Sequence, residues 1–231
     1  MEIDEIDKSN KRLTEIFATV GKTFRYDTVN AEFMAFREFK CTWQRSYKWV
    51  DFRISDYLED APDEVLISLA QTLFRKIRGD EFTTSDKLRE WVTDPLFHTL
   101  KQDIYLSRCS GYSRTPAGTY KNLQESYDRL IGAGLVPYDP SIVLSWYDGA
   151  YTHKAAGCSV LMRVVGISNV LDAEDIPDFV LDYCLYYELC HMLVGYDPDR
   201  DIGDEIFTGL ESKFPQKYEA KSWMRRICVY V

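Results

Sequence analysis

The sequence predicts an α+β protein, in which an N-terminal region of strands and helices precedes a C-terminal unit built around one apolar helix. Three observations predict this class. Residues 24–54 are rich in aromatic and β-branched residues with frequent polar alternation, which favours strands. Apolar residues recur at helical spacing over 65–77. The most apolar segment, 179–194, has the length of a buried helix and ends at Gly195.

The N-terminal region divides into one helix, a group of strands and further helices. Residues 1–22 carry the sparse apolar face of an amphipathic helix, and 24–54 predict two or three antiparallel strands. Pro62, which stands among acidic residues, indicates the start of a helix that stops at Gly79. Helical segments are also expected over 84–105, with a break before the proline in that stretch.

The stretch 109–117 is the clearest loop, so we expect the boundary there, between an N-terminal region 1–110 and a C-terminal unit 111–231. The C-terminal unit should combine a mixed sheet with helices. Its expected elements are a helix, two strands, the apolar helix and two closing helices, at 121–131, 142–146, 159–167, 179–194, 207–210 and 216–225.

Composition and charge restrict the classes of function. The chain has 231 residues, a formal net charge of −9 and ordinary globular composition, with 45% hydrophobic and 28% charged residues. This acidic balance disfavours general nucleic-acid binding, which needs clustered Lys and Arg. The basic stretch 75–78 is interpreted as the solvated end of a helix.

The sequence predicts a soluble, cytoplasmic protein. The first twelve residues are acidic and polar, unlike a secretory signal, and no apolar run reaches the length of a membrane span. The six cysteines contain no CxxC pair, so we expect free thiols in a reducing compartment and no four-cysteine zinc site.

The segment Tyr187-Glu188-Leu189-Cys190-His191 carries the most informative motif. In HExxH motifs, two histidines one helical turn apart bind zinc, and the glutamate acts as general base on the metal-bound water. Here the glutamate and the second histidine are present as Glu188 and His191, whereas Tyr187 stands at the first histidine position.

Residues 118–194, with the helices that follow, resemble the SprT-like zinc metallopeptidases, particularly the short archaeal proteins of that group. Besides the motif, the residues that carry the resemblance are Ser145-Trp146, the strand 160–168 with its Gly-Ile-Ser ending, Leu171-Asp172, Ile176-Pro177, Phe207, Leu210, Glu211, Phe214-Pro215, Glu219-Ala220 and Trp223. The resemblance implies a zincin-type fold. It also implies a third histidine ligand four residues before Phe207, where this chain has Gly203.

Two of the three expected histidines are therefore absent, and a catalytic zinc normally needs three protein ligands. A rebuilt site of His191, Tyr187 and Asp204 would need a zinc-bound phenolate. Cys190 projects about 100° away from His191 around the helix. The competing interpretation is packing: Tyr183, Tyr187 and His191 lie on one helical stripe, and Glu188 can pair with His191.

We therefore expect a catalytically inactive scaffold, without a bound cofactor, that holds a protein or peptide in the former substrate groove along an edge strand at 160–167. Two alternatives remain open. One is a zinc-dependent peptidase or hydrolase with the rebuilt site, in which Glu188 is catalytic. The other is a nucleic-acid-associated adaptor, against which the acidic charge and the absence of a zinc ribbon after Trp223 count.

Overall fold

The computed structural model describes residues 3–149, 153–200 and 205–231, with side chains from residue 7 onward. It confirms the α+β class, because helices combine with two small mixed sheets. Cα proximity divides the chain into two compact units, Met1–Phe97 and His98–Val231. The observed boundary, between residues 97 and 98, lies thirteen residues before the one expected after residue 110. The side-chain amide of Gln102 donates hydrogen bonds to the carbonyls of Ser141 and Met162, which ties its helix to the C-terminal unit.

The N-terminal unit contains helices and one three-stranded sheet. Its elements are α1 (Ile3–Thr23), β1 (Thr28–Met34), β2 (Cys41–Arg45), β3 (Trp49–Ser55), α2 (Asp63–Arg78) and α3 (Asp86–Thr93), before α4 (Pro95–Arg108) crosses into the second unit. The strand order is β1-β3-β2. Helix α2 begins after Pro62 and ends at Gly79, whose φ of 78° closes the helix in the left-handed conformation.

The expectation of purely antiparallel strands in the N-terminal region is wrong. β2 pairs with β3 in the antiparallel sense, but β1 pairs with β3 in the parallel sense. After β1 the chain crosses to the far edge of the sheet and forms β2 there. The short β2–β3 turn then places β3 between β1 and β2. In-out alternation is the same for both kinds of pairing on a half-buried sheet, so the sequence pattern could not distinguish them.

One face of this sheet packs on α1 and α2. The Phe52 ring lies 5.0 Å from that of Phe17 and 5.2 Å from that of Phe74, centroid to centroid. Gly21 allows the close approach, because a Cβ there would lie 2.6 Å from the Val29 Cγ2 atom and 2.9 Å from the Phe74 ring. A larger residue at position 21 would push the helix off the sheet.

The C-terminal unit contains a second three-stranded sheet and four further helices. Its remaining elements are α5 (Leu123–Gly132), β4 (Val143–Tyr147), β5 (Ala156–Ser159), β6 (Val164–Ser168), α6 (Asp178–Val194), α7 (Glu205–Glu211) and α8 (Lys217–Arg226). The strand order is β4-β6-β5, with β4 parallel and β5 antiparallel to β6. The expected mixed sheet is present.

The predicted edge strand at 160–167 is wrong. Residues 160–163 form a turn, in which Arg163 has a φ of 55°, and β6 after it lies in the middle of the sheet. The turn reverses the chain so that β5 and β6 become neighbours, which leaves β5 at the edge. The sequence concealed this reversal, because the turn residues Leu161 and Met162 are themselves apolar and buried, and Arg163 is the one polar residue between 160 and 165.

The last residues pair with the segment that leads into β5. The N–H of Tyr230 donates to the carbonyl of His153, and the N–H of Ala155 donates to the carbonyl of Tyr230, at 2.8 and 2.7 Å. His153 Nδ1 also lies 2.9 Å from the carbonyl oxygen of Cys228. Lys154, between these residues, is thereby held at the start of the edge strand.

Within the described ranges, none of the helices combines the length and the apolar composition needed to cross a membrane.

Candidate functional site

Helix α6 packs against β5 and α7, and we call the region where its motif residues meet these two elements the α6 pocket. Tyr183, Tyr187 and His191 lie on one stripe, with ring centroids 6.3 Å apart for the first pair and 5.4 Å for the second. Phe207 of α7 closes the stripe, 5.0 Å from the Tyr187 ring and 4.4 Å from the His191 ring. The imidazole is therefore held inside an aromatic cluster.

Glu188 lies on the adjacent face of α6, where only 4% of its surface is exposed. Burial raises the pKa of its carboxyl group, although a hydrogen bond with the Cys158 thiol and the charge of Lys154 oppose the rise. Cys158 belongs to the edge strand β5. Glu188 is thus hydrogen-bonded to a strand residue, whereas the sequence suggested His191 as its partner.

Lys154 supplies positive charge to this pocket. Its Nζ atom would lie 3.1 Å from a Cβ atom placed on Gly157, so the side chain extends forward along the edge strand. Burial first, and the Lys154 charge second, lower the pKa of His191. The positive charge of Lys154 therefore acts on both Glu188 and His191. In the SprT-like metallopeptidases that this segment resembles, the corresponding residues are the general base and a zinc ligand.

The described residues do not fit a catalytic zinc. Burial, with the charges of Glu211 and Glu188, raises the pKa of Tyr187, which disfavours the phenolate that a rebuilt site would need. Within the described part of the chain, no three His, Cys, Asp or Glu side chains are grouped to hold a metal ion. Asp204 and Gly203 lie outside the described residues.

Cys190 also faces away from the pocket. It is fully buried, and its thiol is hydrogen-bonded with the Tyr186 hydroxyl. Burial raises its pKa to about 11, so the thiolate that binds metals is disfavoured at neutral pH.

A second buried carboxyl group, Glu211, was not singled out as a site residue by sequence reasoning. Its carboxylate accepts hydrogen bonds from the Tyr183 hydroxyl at 2.6 Å and from Lys217 Nζ at 2.7 Å, and Lys221 Nζ lies 2.7 Å away. Burial alone would raise the pKa of Glu211, but these partners outweigh it and lower the pKa to about 2. The sequence feature that could have indicated a paired carboxylate here is the presence of two lysines four residues apart on α8.

None of the described residues of the pocket is an activated nucleophile. Burial, with the nearby Glu188, raises the pKa of the Cys158 thiol well above its ordinary value, so the reactive thiolate is suppressed. The lowered pKa of His191 favours the neutral imidazole. Glu188 combines a raised pKa with near-complete burial, a combination that suits holding a proton more than activating water.

Comparison of the chain with protein-family models, with curated proteins and with solved structures finds no match. The site is therefore interpreted from its own residues and geometry.

Proposed function

We propose that the C-terminal unit is a degenerate SprT-like, zincin-type domain that has lost catalysis and binds an extended protein or peptide segment. The observation that carries the proposal is the pocket of α6. Glu188 meets the edge strand through Cys158, and His191 follows about one turn later on α6, but Tyr187 packs in an aromatic cluster and the adjacent positive charge belongs to Lys154.

The groove of this proposal runs along β5, in place of the strand at 160–167 that the sequence suggested. β5 pairs with β6 on one side and ends the sheet on the other. An extended peptide can add to such an edge through main-chain hydrogen bonds, and side-chain pockets beside the strand then supply specificity. The half-buried Cys158 and the exposed Lys154 lie along this path.

The zincin resemblance is tested by restoring the missing ligands. If the fold is of this type, the double substitution Tyr187→His and Gly203→His completes three histidines around one site, with His191. We expect this variant to bind about one zinc per chain by elemental analysis after purification without a histidine tag. The wild-type chain should bind none tightly.

The matched control is Leu193→His with Gly203→His, which adds the same number of histidines but places one on an exposed position of the same helix. Equal zinc content in both double variants, or none in either, would overturn the zincin interpretation. Stoichiometric zinc in the wild-type chain that is lost on His191→Ala would instead favour the rebuilt hydrolase, and peptide cleavage abolished by Glu188→Gln would establish it.

Peptide binding is tested with fluorescein-labelled, unfolded casein as a generic extended polypeptide. We expect saturable fluorescence anisotropy without cleavage. Amide hydrogen exchange in the complex should slow within 156–159, because strand addition protects the outward N–H groups of β5. Protection elsewhere, with unchanged exchange in β5, would remove the groove from the proposal.

A further inference from the structure

A hollow of about 400 Å³ opens on the N-terminal unit, within the size range of small-molecule sites, roughly 300–1,000 Å³. We call it the basic hollow. Four cationic side chains line it, and aromatic rings complete its wall. The cations are Arg25, Arg45, Lys48 and Arg78.

Three chain segments build the basic hollow. The turn after α1 supplies Arg25, the β2–β3 turn supplies Lys48, and the last turn of α2 supplies Arg78. The first two segments are joined by their backbones, because the N–H groups of Asp27 and Thr28 both donate to the carbonyl of Lys48. The cations thus converge from segments that the core holds in place.

The charge of the basic hollow is only partly neutralised. Lys48 pairs with Asp27 at 2.8 Å, and Arg78 pairs with Asp80. Arg25 and Arg45 are exposed, and neither has a carboxylate partner among the described residues. None of the described residues that line the hollow is acidic. In a chain with a net charge of −9, this is a local concentration of positive charge, which attracts anions.

Aromatic surfaces lie beside these cations. Phe24 and Tyr26 are fixed against the buried Phe74 ring, with centroid distances of 5.2 and 5.4 Å. Tyr47, at the β2–β3 turn, is 87% exposed, and Lys48 Nζ lies 5.9 Å from its ring centroid. The Arg78 guanidinium lies over the Phe24 ring, 4.9 Å from its centroid, so the exposed Tyr47 ring is the surface left for a ligand. An exposed ring in one hollow with the guanidinium groups of Arg25 and Arg45 suits a planar ligand that also carries negative charge.

Arg25 occupies a position where glycine is the usual residue. The Arg25 N–H donates to the Lys22 carbonyl and the Tyr26 N–H to the Gly21 carbonyl, which closes α1 in a Schellman motif. Arg25 is the left-handed residue of that motif, with a φ of 67°. A side chain there strains the backbone, so the guanidinium is kept at a cost in stability.

We propose that the basic hollow binds a nucleotide, with the base stacked on the exposed Tyr47 ring and the phosphates paired with Arg25 and Arg45. The base and the phosphates of a nucleotide would each find a binding partner in the same hollow. Adenosine would use only the aromatic surface, and pyrophosphate would use only the arginines. The nucleotide unit could come from a free nucleotide or from a single strand. The net charge disfavours a long polyanion, so a free nucleotide is the source we expect.

Isothermal titration calorimetry of the full chain with ADP, adenosine, pyrophosphate and a (dT)12 oligonucleotide tests the proposal. We expect one ADP per chain, and binding at least about tenfold weaker for adenosine and for pyrophosphate. Tighter binding of (dT)12 than of ADP would assign the nucleotide unit to a strand. Absence of saturable binding of ADP and (dT)12 up to millimolar concentration would overturn the proposal, as would pyrophosphate binding as tightly as ADP.

Single substitutions locate the site. Tyr47→Ala and Arg45→Ala should each weaken ADP binding about tenfold or more. Arg25→Gly should do the same while the unfolding midpoint stays equal or rises, which separates lost binding from lost folding. The matched control is Arg53→Ala, an exposed arginine of β3 that pairs with Glu32 and does not line the hollow. Affinity reduced equally by Arg53→Ala would place the site elsewhere.

Discussion

Glu188 and Glu211 are two buried carboxyl groups of the C-terminal unit, and their surroundings move their pKa values in opposite directions. Glu211, 7% exposed, has Lys217, Lys221 and Tyr183 as partners, which hold its pKa near 2. Glu188, 4% exposed, has a thiol as its hydrogen-bond partner, and burial raises its pKa. Burial raises the pKa at both positions, and only at Glu211 do the hydrogen-bond donors outweigh it.

The difference separates a structural group from a candidate functional one. Glu211 joins α6, α7 and α8 through charged hydrogen bonds and stabilises the unit in its ionised form. Glu188 in its ionised form is a buried charge with weak compensation, so it costs stability at neutral pH. This cost is one reason why we propose a functional role for the α6 pocket.

The largest expected effect is that of Glu211→Gln. Lowering the pKa from 4.5 to about 2 corresponds to about 3 kcal/mol of stabilisation by the ionised carboxylate, so the variant should lose roughly that amount at pH 7. Urea unfolding followed by circular dichroism measures the loss. The control is Glu219→Gln, an exposed carboxyl of α8, which should change the free energy of unfolding by less than about 0.5 kcal/mol.

The same group gives the wild-type chain an acid-sensitive stability. Because the folded-state pKa of Glu211 is lowered, its contribution is complete above about pH 4.5 and is lost as the pH falls towards 2. Glu211→Gln should flatten that part of the curve. If the variant lost stability between pH 4.5 and 2 as steeply as the wild-type chain, Glu211 would not be the stabilising carboxylate. The contrast drawn between Glu211 and Glu188 would then be wrong.

Glu188→Gln should have a smaller effect of opposite sign. A raised folded-state pKa means that the contribution of Glu188 is complete below the unfolded value of about 4.5 and is lost as the pH rises through the folded value. The amide resembles the protonated carboxyl, so the variant should be more stable than the wild-type chain at pH 8 and should differ little from it at pH 4. Unfolding midpoints at the two pH values measure this, and a loss of stability at pH 8 would contradict it.

Lys154→Gln should give the smallest change in stability, below about 0.5 kcal/mol, since the side chain is exposed. It should nevertheless raise the pKa of His191, because the charge of Lys154 is one of the two causes that lower it. NMR titration of the His191 ring protons reads this directly. An unchanged pKa would place the lysine charge outside the pocket.

Local patterns predicted most of the helices. Pro62 and Gly79 bracket α2 as expected, and the apolar segment before Gly195 forms α6. Spacing also put Tyr183, Tyr187 and His191 on one stripe, where the structure places their rings in contact. These features depend on residues within a few turns of one another, so one sequence suffices to find them.

Features that depend on distant pairing were not predictable in the same way. The sequence could not show that β1 joins β3 in the parallel sense, or that the chain reverses near Arg163. It also gave no sign that Cys158 and Lys154 would meet Glu188, since these residues are separated by thirty positions or more along the chain. The type of a residue does not reveal which distant residue it will contact in the folded chain.

Lys154 gives the α6 pocket a positive charge that is part of the polypeptide, whereas a metal ion has to be bound from solution. A zinc ion must be acquired from the surroundings, competes with other divalent ions and is withdrawn by chelators. The ammonium group of Lys154 is encoded in every copy of the chain and is positioned by the backbone pairing of His153 and Ala155 with Tyr230. Binding at this pocket would therefore be independent of metal availability, but open to control by lysine acetylation, which would remove the charge at the exposed side chain.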